Sequence, residues 1–202
     1  MKIDRRTLLG GMAATFAAPL PSFALSVTDA TGRAITAPNR VQRVYPAGPP
    51  AVVEIYTVAP DLLTGWLEPI PPEAREFLLP EIAARPEIPR LTGRGDAKIN
   101  LDALKSFNPD VIVDIGDVND SYKALAERVQ QESGIPYVLI DGHLDKVAAS
   151  YRTLGQLLGR SDDAEKLARI TDETVATIAS RVASIPSEAR PRPRRCSRAC
   201  TR

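Results

Sequence analysis

At 202 residues, with 44% hydrophobic and 25% charged residues, the chain can bury one sizeable core or two small ones and has a globular composition. Its formal net charge of +1 conceals two basic ends, one with Arg5 and Arg6 and one running from Arg190 to Arg202, so the body between them is net acidic. An acidic body excludes nucleic acid as the expected partner, because a phosphate backbone must be met by a basic surface.

Residues 1–24 read as an export signal. Arg5-Arg6-Thr7-Leu8-Leu9 has the form of a twin-arginine motif and is followed by an Ala- and Gly-rich, weakly apolar run from Leu8 to Ala18. That run is too short for a bilayer, which needs roughly 20 apolar residues. Ser22-Phe23-Ala24 has the small-x-small pattern of a cleavage site, which places the mature start at Leu25. No cysteine follows the run, so a soluble periplasmic protein with no stable membrane insertion is expected; the alternative is the basic amphipathic start of a cytosolic protein.

Val27 to Thr36 alternates apolar and polar residues around Thr31-Gly32, which predicts a small hairpin at the edge of the fold. A short strand follows at Arg43-Val44-Tyr45, and Pro46-Ala47-Gly48-Pro49-Pro50 turns into a helix carrying Val53, Ile55, Tyr56 and Val58, with Pro50 suited to the first turn. The N–H groups at such a helix start favour anionic ligands. Ala59-Pro60-Asp61 breaks the helix, and Leu62-Leu63 with Gly65-Trp66 predicts the next strand. Trp66, the single tryptophan, has two readings: an indole stacked on a flat or greasy ligand, or a buried structural side chain. Pro69 to Arg90 is rich in Pro and Glu and predicts a loop with a short helix around Glu73 to Leu79. In Leu91 to Asp96, two glycines flank Arg94, which either faces a cleft to pair with an acidic group or is a solvated loop arginine.

The stretch from Ile99 to Gly116 is the most informative. Asn100 can cap a helix, Asp102 suits its positively polarised first turn, and Leu101, Leu104 and Phe107 share one face. Asn108 can take the left-handed conformation that ends a helix, and Pro109 forbids continuation. Val111, Ile112, Val113 and Ile115, interrupted by Asp114, read as a strand covered on both faces in a parallel sheet. The carboxyl ends of such strands are where open α/β sheets bind ligands, so Gly116 and Asp117, with the residues up to Asn119, form a candidate cleft wall. A helix from Ser121 to Gln131 ending at Gly134, then a strand Tyr137-Val138-Leu139-Ile140, implies a parallel, right-handed crossover. His143, the single histidine, falls just beyond that strand at the cleft rim; one imidazole does not make a metal site. Asp145 to Leu158 is predicted helical with Val147, Tyr151, Leu154, Leu157 and Leu158 on one face and Gly159 as its stop. Ser161 caps a further helix, acidic in its first turn, whose apolar positions Leu167, Ile170, Val175, Ile178, Val182 and Ile185 continue to Pro186. About 23 residues at a ~1.5 Å rise make a rod on the order of 35 Å.

In order, the DATGR hairpin, RVYPAGPPAVVEIY, APDLLTGW, PRLTGRGD, NLDALKSFNPDVIVDIG, GIPYVLIDG and the paired helices resemble the iron-complex and corrinoid binding proteins of bacterial ABC importers, whose two lobes are joined by one long helix. The resemblance runs from about Val27 to Ile185. It implies an α/β fold, a parallel-sheet, Rossmann-like N-lobe with crossover helices over 25–160, and a long connecting helix over 161–185. It implies that the turn after the first sheet strand lines the ligand cleft, which makes Tyr45 and Gly48 site candidates; the other reading of Tyr45 is a packed aromatic. It implies a docking carboxylate for the permease at Asp102, usually Glu in that family, beside the reading that Asp102 only complements the helix dipole. A second α/β lobe is expected after the long helix, but residues 186–202 run out in RPRPRRCSRACTR, so the C-lobe is expected to be missing. That tail is expected to be disordered and reads as an out-of-frame segment of a GC-rich gene, with no role for Cys196 or Cys200.

The functional expectation is binding without chemistry: capture of an iron chelate, haem or corrinoid and delivery to an ABC permease, with no cofactor of its own. No nucleophile beside a base, glycine-rich phosphate motif or paired histidines point to an enzyme. The alternatives are a secreted α/β enzyme or redox protein exported folded, and an inert fragment.

Overall fold

The computed structural model describes residues 24–92, 99–186 and 189–190. Arg94, the signal segment up to residue 23 and both cysteines lie outside the described residues.

Strands β1 (Leu25–Thr28) and β2 (Ala34–Ala37) form the expected antiparallel hairpin. Its turn is held by Asp29, which accepts from the Thr31 and Arg33 backbone N–H groups and pairs with the Arg33 guanidinium at 2.5 Å. Gly32 supplies the positive φ that this turn requires. Burial alone would raise the Asp29 pKa, yet the hydrogen bonds from Thr31 and Arg33 outweigh it and hold the carboxyl below its usual value.

The main sheet has three parallel strands in the order β3 (Val44–Pro46), β4 (Val111–Gly116), β5 (Tyr137–Asp141). β4 is buried at five consecutive positions, as its near-continuous β-branched run requires of a central strand covered on both sides. Helix α1 (Pro49–Val58) packs on β3 and β4 and against α5 (Val147–Leu158). Helix α3 (Leu101–Ser106) packs against α4 (Asp120–Ser133), which lies on β5. A single turn, α2 (Pro80–Ala83), follows a 3₁₀ segment at Pro72–Phe77 and replaces the helix expected around Glu73 to Leu79. The strand expected at Leu62 to Trp66 is reduced to two isolated bridges, Val44–Leu63 and Trp66–Glu87, because Pro60–Leu62 winds into a 3₁₀ turn first.

Helix ends follow local chemistry. Asn100 Oδ1 accepts from the Ala103 N–H at 2.9 Å, and Asn108 takes φ 45° where α3 stops. Arg43 fixes that stop by donating to the Phe107 carbonyl, while Asp110 accepts from the Gln42 and Arg43 N–H groups and fastens the start of β3 beside β4. Gly134 and Gly159 end α4 and α5 in the left-handed conformation. The expected Ser161 cap is corrected: Arg160 holds the cap position of α6 (Ser161–Ala183), with no side-chain bond, and Ser161 is already helical.

Helix α6 is 23 residues long, as the spacing predicts. It crosses α5 where Gly155 gives way, since a Cβ there would stand 2.3 Å from that of Ala164. Ala164 and Ala168 are fully buried, whereas Ile170, Ile178, Val182 and Ile185 are exposed.

Candidate ligand-binding edge of the sheet

The three parallel strands end at different heights. Gly116 pairs with Asp141, so β4 and β5 finish level, but Pro46 pairs with Val113 and β3 stops three residues lower. The result is a stepped edge. On the upper step, the Gly142 N–H donates to the Gly116 carbonyl at 2.9 Å, and a Cβ on Gly142 would come within 2.9 Å of Gly116 Cα. Two strand ends therefore meet as bare backbone, and only glycine at 142 allows the approach.

Asp117 and His143 are exposed on this upper step, next to Gly116. The structure brings these three predicted residues together. His143 is fixed from below: Asp141 Oδ1 accepts from its backbone N–H at 3.0 Å and lies 2.6 Å from ring Nδ1. With Nδ1–H directed at the carboxylate, Nε2 is the ring nitrogen turned to an incoming group. The hydrogen bond to Asp141, then its charge and those of Asp117 and Asp145, raise the His143 pKa; the backbone bond from His143 chiefly lowers that of Asp141. The imidazole thus charges more readily than an isolated histidine. Asn119, at the end of the predicted wall, is occupied as the α4 cap, accepting from the Ser121 and Tyr122 N–H groups.

Three other expected site residues are placed differently. Tyr45 is withdrawn from the candidate wall: it is fully buried, its hydroxyl donates to the Pro89 carbonyl at 2.5 Å, and its ring meets Phe107 edge-on. β3 is buried at all three positions, so both of its faces are covered and residue 45 meets the core whichever face it takes. Gly48 is buried rather than open, since Thr92 covers it; a Cβ on Gly48 would stand 2.6 Å from Thr92 Oγ1. Trp66 is half-buried against Tyr56, and its indole N–H donates to the Ile82 carbonyl at 2.8 Å, so its polar handle serves the fold.

What sequence reasoning passes over is the polar cluster under the lower step. Asp114 is 2% exposed, and its Oδ2 accepts from the Tyr137 hydroxyl at 3.0 Å. Thr92 Oγ1 stands 3.5 Å from Asp114 Oδ1. Burial pushes the Asp114 carboxyl up to about 6 against the opposing hydrogen bonds from Tyr137 and Thr92. The interruption of an apolar strand by one aspartate was the available signal; its partners, distant in sequence, were not.

Asp102 is exposed in the first turn of α3. A cavity of about 200 Å³ lined by Ile99, Leu101, Arg128, Val129 and Glu132 opens between α3 and the last turns of α4, away from the stepped edge. Among the described residues, no group of three or more His, Cys, Asp or Glu is placed to hold a metal ion, and no helix is long and apolar enough to cross a membrane.

A parallel three-stranded α/β lobe that ends in one long helix is the class these elements define. No protein-family model and no curated protein matches the sequence. The fold does match solved structures. An ABC transporter solute-binding protein from Sulfurospirillum deleyianum superimposes with a TM-score of 0.69 at 22% identity, over 82% of this chain and 51% of that one. The TroA-like periplasmic binding protein FepB from Veillonella parvula gives 0.62 at 24% identity, over 84% and 51%. The molybdate periplasmic binding protein MolA from Haemophilus influenzae, solved with molybdate bound, gives 0.63 at 16%, over 83% and 56%. The chain spans about half the length of these structures, and it has the fold of the N-lobe and long helix of ABC-importer solute-binding proteins.

Proposed function

We propose that this chain supplies one wall of the ligand cleft in the substrate-binding component of an ABC importer, binding without catalysis, with an iron complex such as a siderophore or haem, or a corrinoid, as the ligand class. The observation that carries the reading is the stepped carboxyl edge, where the bare Gly116–Gly142 backbone, Asp117 and the braced His143 stand together in a lobe that ends in a 23-residue helix. Strand ends of this kind are the ligand-facing edge of open α/β sheets. Gly116, Asp117 and His143 are the proposed contacts, with Arg94, which lies outside the described residues, a further one on its sequence position alone. The iron-complex and corrinoid classes are supported by the order of sequence motifs from DATGR to GIPYVLIDG. A periplasmic location reached by the twin-arginine route is supported by Arg5-Arg6-Thr7-Leu8-Leu9 and the Ser22-Phe23-Ala24 site.

NMR titration of the chain with a ferric siderophore, haemin, cobalamin and molybdate tests this. Binding by a single wall is expected to be weak, with a Kd above about 1 μM, or less than roughly 8 kcal/mol of binding free energy. The expected result is ligand-dependent shifts at the Gly116, Asp117 and Gly142 amides for one of the first three, lost in His143→Ala. Shifts with molybdate alone would move the ligand class to oxyanions, and none with any of the four would remove the binding reading.

The permease is the proposed partner, and exposed Asp102 the docking contact. In a two-lobe protein carrying this sequence, Asp102→Lys is expected to lower uptake several-fold while leaving the shifts at the sheet edge unchanged. Undiminished uptake would end the docking role.

A further inference from the structure

The cavity between α3 and the last turns of α4 takes no part in the proposed ligand contacts. Its α3 side is set by the Asn100 cap, and Lys105 Nζ, in the last turn of α3, bridges to the Glu132 carbonyl of α4 at 3.2 Å. A space of about 200 Å³ remains between the two helices. Its floor is apolar, since Val129 is 1% exposed and Ile99 and Leu101 are half-buried. Its mouth is charged, with Arg128 and Glu132 exposed one helical turn apart on α4. Opposite charges at this spacing commonly pair with each other. Here neither Arg128 nor Glu132 is in an ion pair among the described residues, and nor is Asp102. Both signs of charge are therefore left to an occupant, above a floor that only an apolar group can cover.

We propose that this cavity is a socket for one tyrosine side chain of the permease, seated beside the contact that Asp102 makes with a basic residue. The proposal deepens the docking reading of Asp102 and rests on it. A cavity of roughly 150 Å³ holds a benzene ring, so the volume here takes one ring with its substituent. The ring would lie on Ile99, Leu101 and Val129, with the Arg128 guanidinium over its face and its hydroxyl donating to the Glu132 carboxylate. An aliphatic side chain would use neither charge, a basic one would meet Arg128, and an acidic one would meet Glu132. Leu101 and Asp102 are consecutive in the first turn of α3, so the socket and the exposed carboxylate adjoin and one partner segment can engage both. An aromatic anchor in an apolar pocket beside an ion pair is the composition of an interface hot spot.

NMR titration of the full chain with N-acetyltyrosinamide tests the socket, with N-acetylphenylalaninamide as the control that lacks the hydroxyl. Saturable shifts are expected at the Leu101, Val129 and Glu132 amides and none at Gly116 or Gly142. The tyrosine derivative is expected to bind about fivefold more tightly than the control, the worth of one hydrogen bond, and Glu132→Ala is expected to abolish that preference. No shifts at the three amides, or equal affinity for the two probes, overturns the socket. The permease as occupant is tested by uptake in a two-lobe protein carrying this sequence. Ile99→Trp, which fills the cavity, is expected to lower uptake several-fold with the sheet-edge shifts unchanged, and Glu132→Ala serves should that variant not fold. Asp102→Lys run alongside separates the two readings. Reduced uptake in Asp102→Lys alone overturns the socket and leaves docking at Asp102 standing, whereas undiminished uptake in every variant removes the docking reading and the socket with it.

Discussion

The two ends of α6 follow the same apolar spacing and meet opposite fates. Near its start, Ala164 and Ala168 lie fully buried against α5, at a crossing so close that Gly155 must lack a side chain. Near its end, Ile178 and Val182 carry far more apolar surface and are 55% and 42% exposed. Small residues are used where the packing is tight, and large ones where the described residues offer nothing to pack against. Periodicity therefore identifies a face to be covered, but the depth of burial is decided by what stands opposite.

The contrast can be broken most sharply at the anchored end. Leu154, fully buried on α5, fills the core on which α6 rests, and Leu154→Ala is expected to cost about 2–5 kcal/mol in a urea melt, the usual range for emptying such a site. A loss below ~1 kcal/mol would mean that this end is as loosely held as the other.

A smaller effect comes from the buried acids of the same region. Burial raises the folded-state pKa of Asp114 to about 6 and also raises that of Glu54, whose Oε2 accepts from Ser150 on α5 at 2.5 Å. A raised folded pKa means the folded state binds more protons than the unfolded chain, so stability is highest below the ordinary carboxyl range and is lost as pH rises through about 6. Asp29 works in the opposite sense, losing its contribution as pH falls through its lowered pKa, so it protects only against acid. Urea melts are expected to show the chain more stable at pH 4.5 than at pH 7.5 by on the order of 2 kcal/mol, with much of the difference abolished in Asp114→Asn.

The least effect on stability is expected at the projecting end of α6. Ile178→Ser with Val182→Ser is expected to change unfolding free energy by less than ~0.5 kcal/mol, as exposed positions usually do. The pair should nonetheless reduce concentration-dependent association in sedimentation, because an uncovered apolar stripe favours it. A large loss of stability would show that this end is packed after all.

What was legible in the sequence is what short-range chemistry decides. Asn100 as a cap, Asn108 as a left-handed stop, Gly134 and Gly159 as helix ends and the doubly covered β4 each depend on neighbours within a few residues. Ser161 failed by one position, within the usual uncertainty of a helix boundary. For Tyr45 and Trp66 the sequence left a ligand-facing and a packed reading side by side, because the choice is set by Pro89 and Phe107 in one case and by Tyr56 and Ile82 in the other. The position of Gly116, Asp117 and His143 at the strand ends was legible because a strand's carboxyl end can be counted from its periodicity. The step between β3 and β4 was not, since it depends on the register between strands far apart in sequence.

The hairpin also has a bearing on how the chain behaves in company. β5 is the last strand of the sheet, and its outward carbonyls would ordinarily offer a template for a foreign strand. Here the Ala30 N–H occupies the Leu139 carbonyl at 2.8 Å, and the Arg33 guanidinium occupies that of Tyr137 at 3.2 Å. At the opposite border, the Thr64 N–H takes the Val44 carbonyl at 2.9 Å. Carbonyls on both margins of the sheet are thus already engaged within the chain, which leaves less of either edge to pair with a foreign strand.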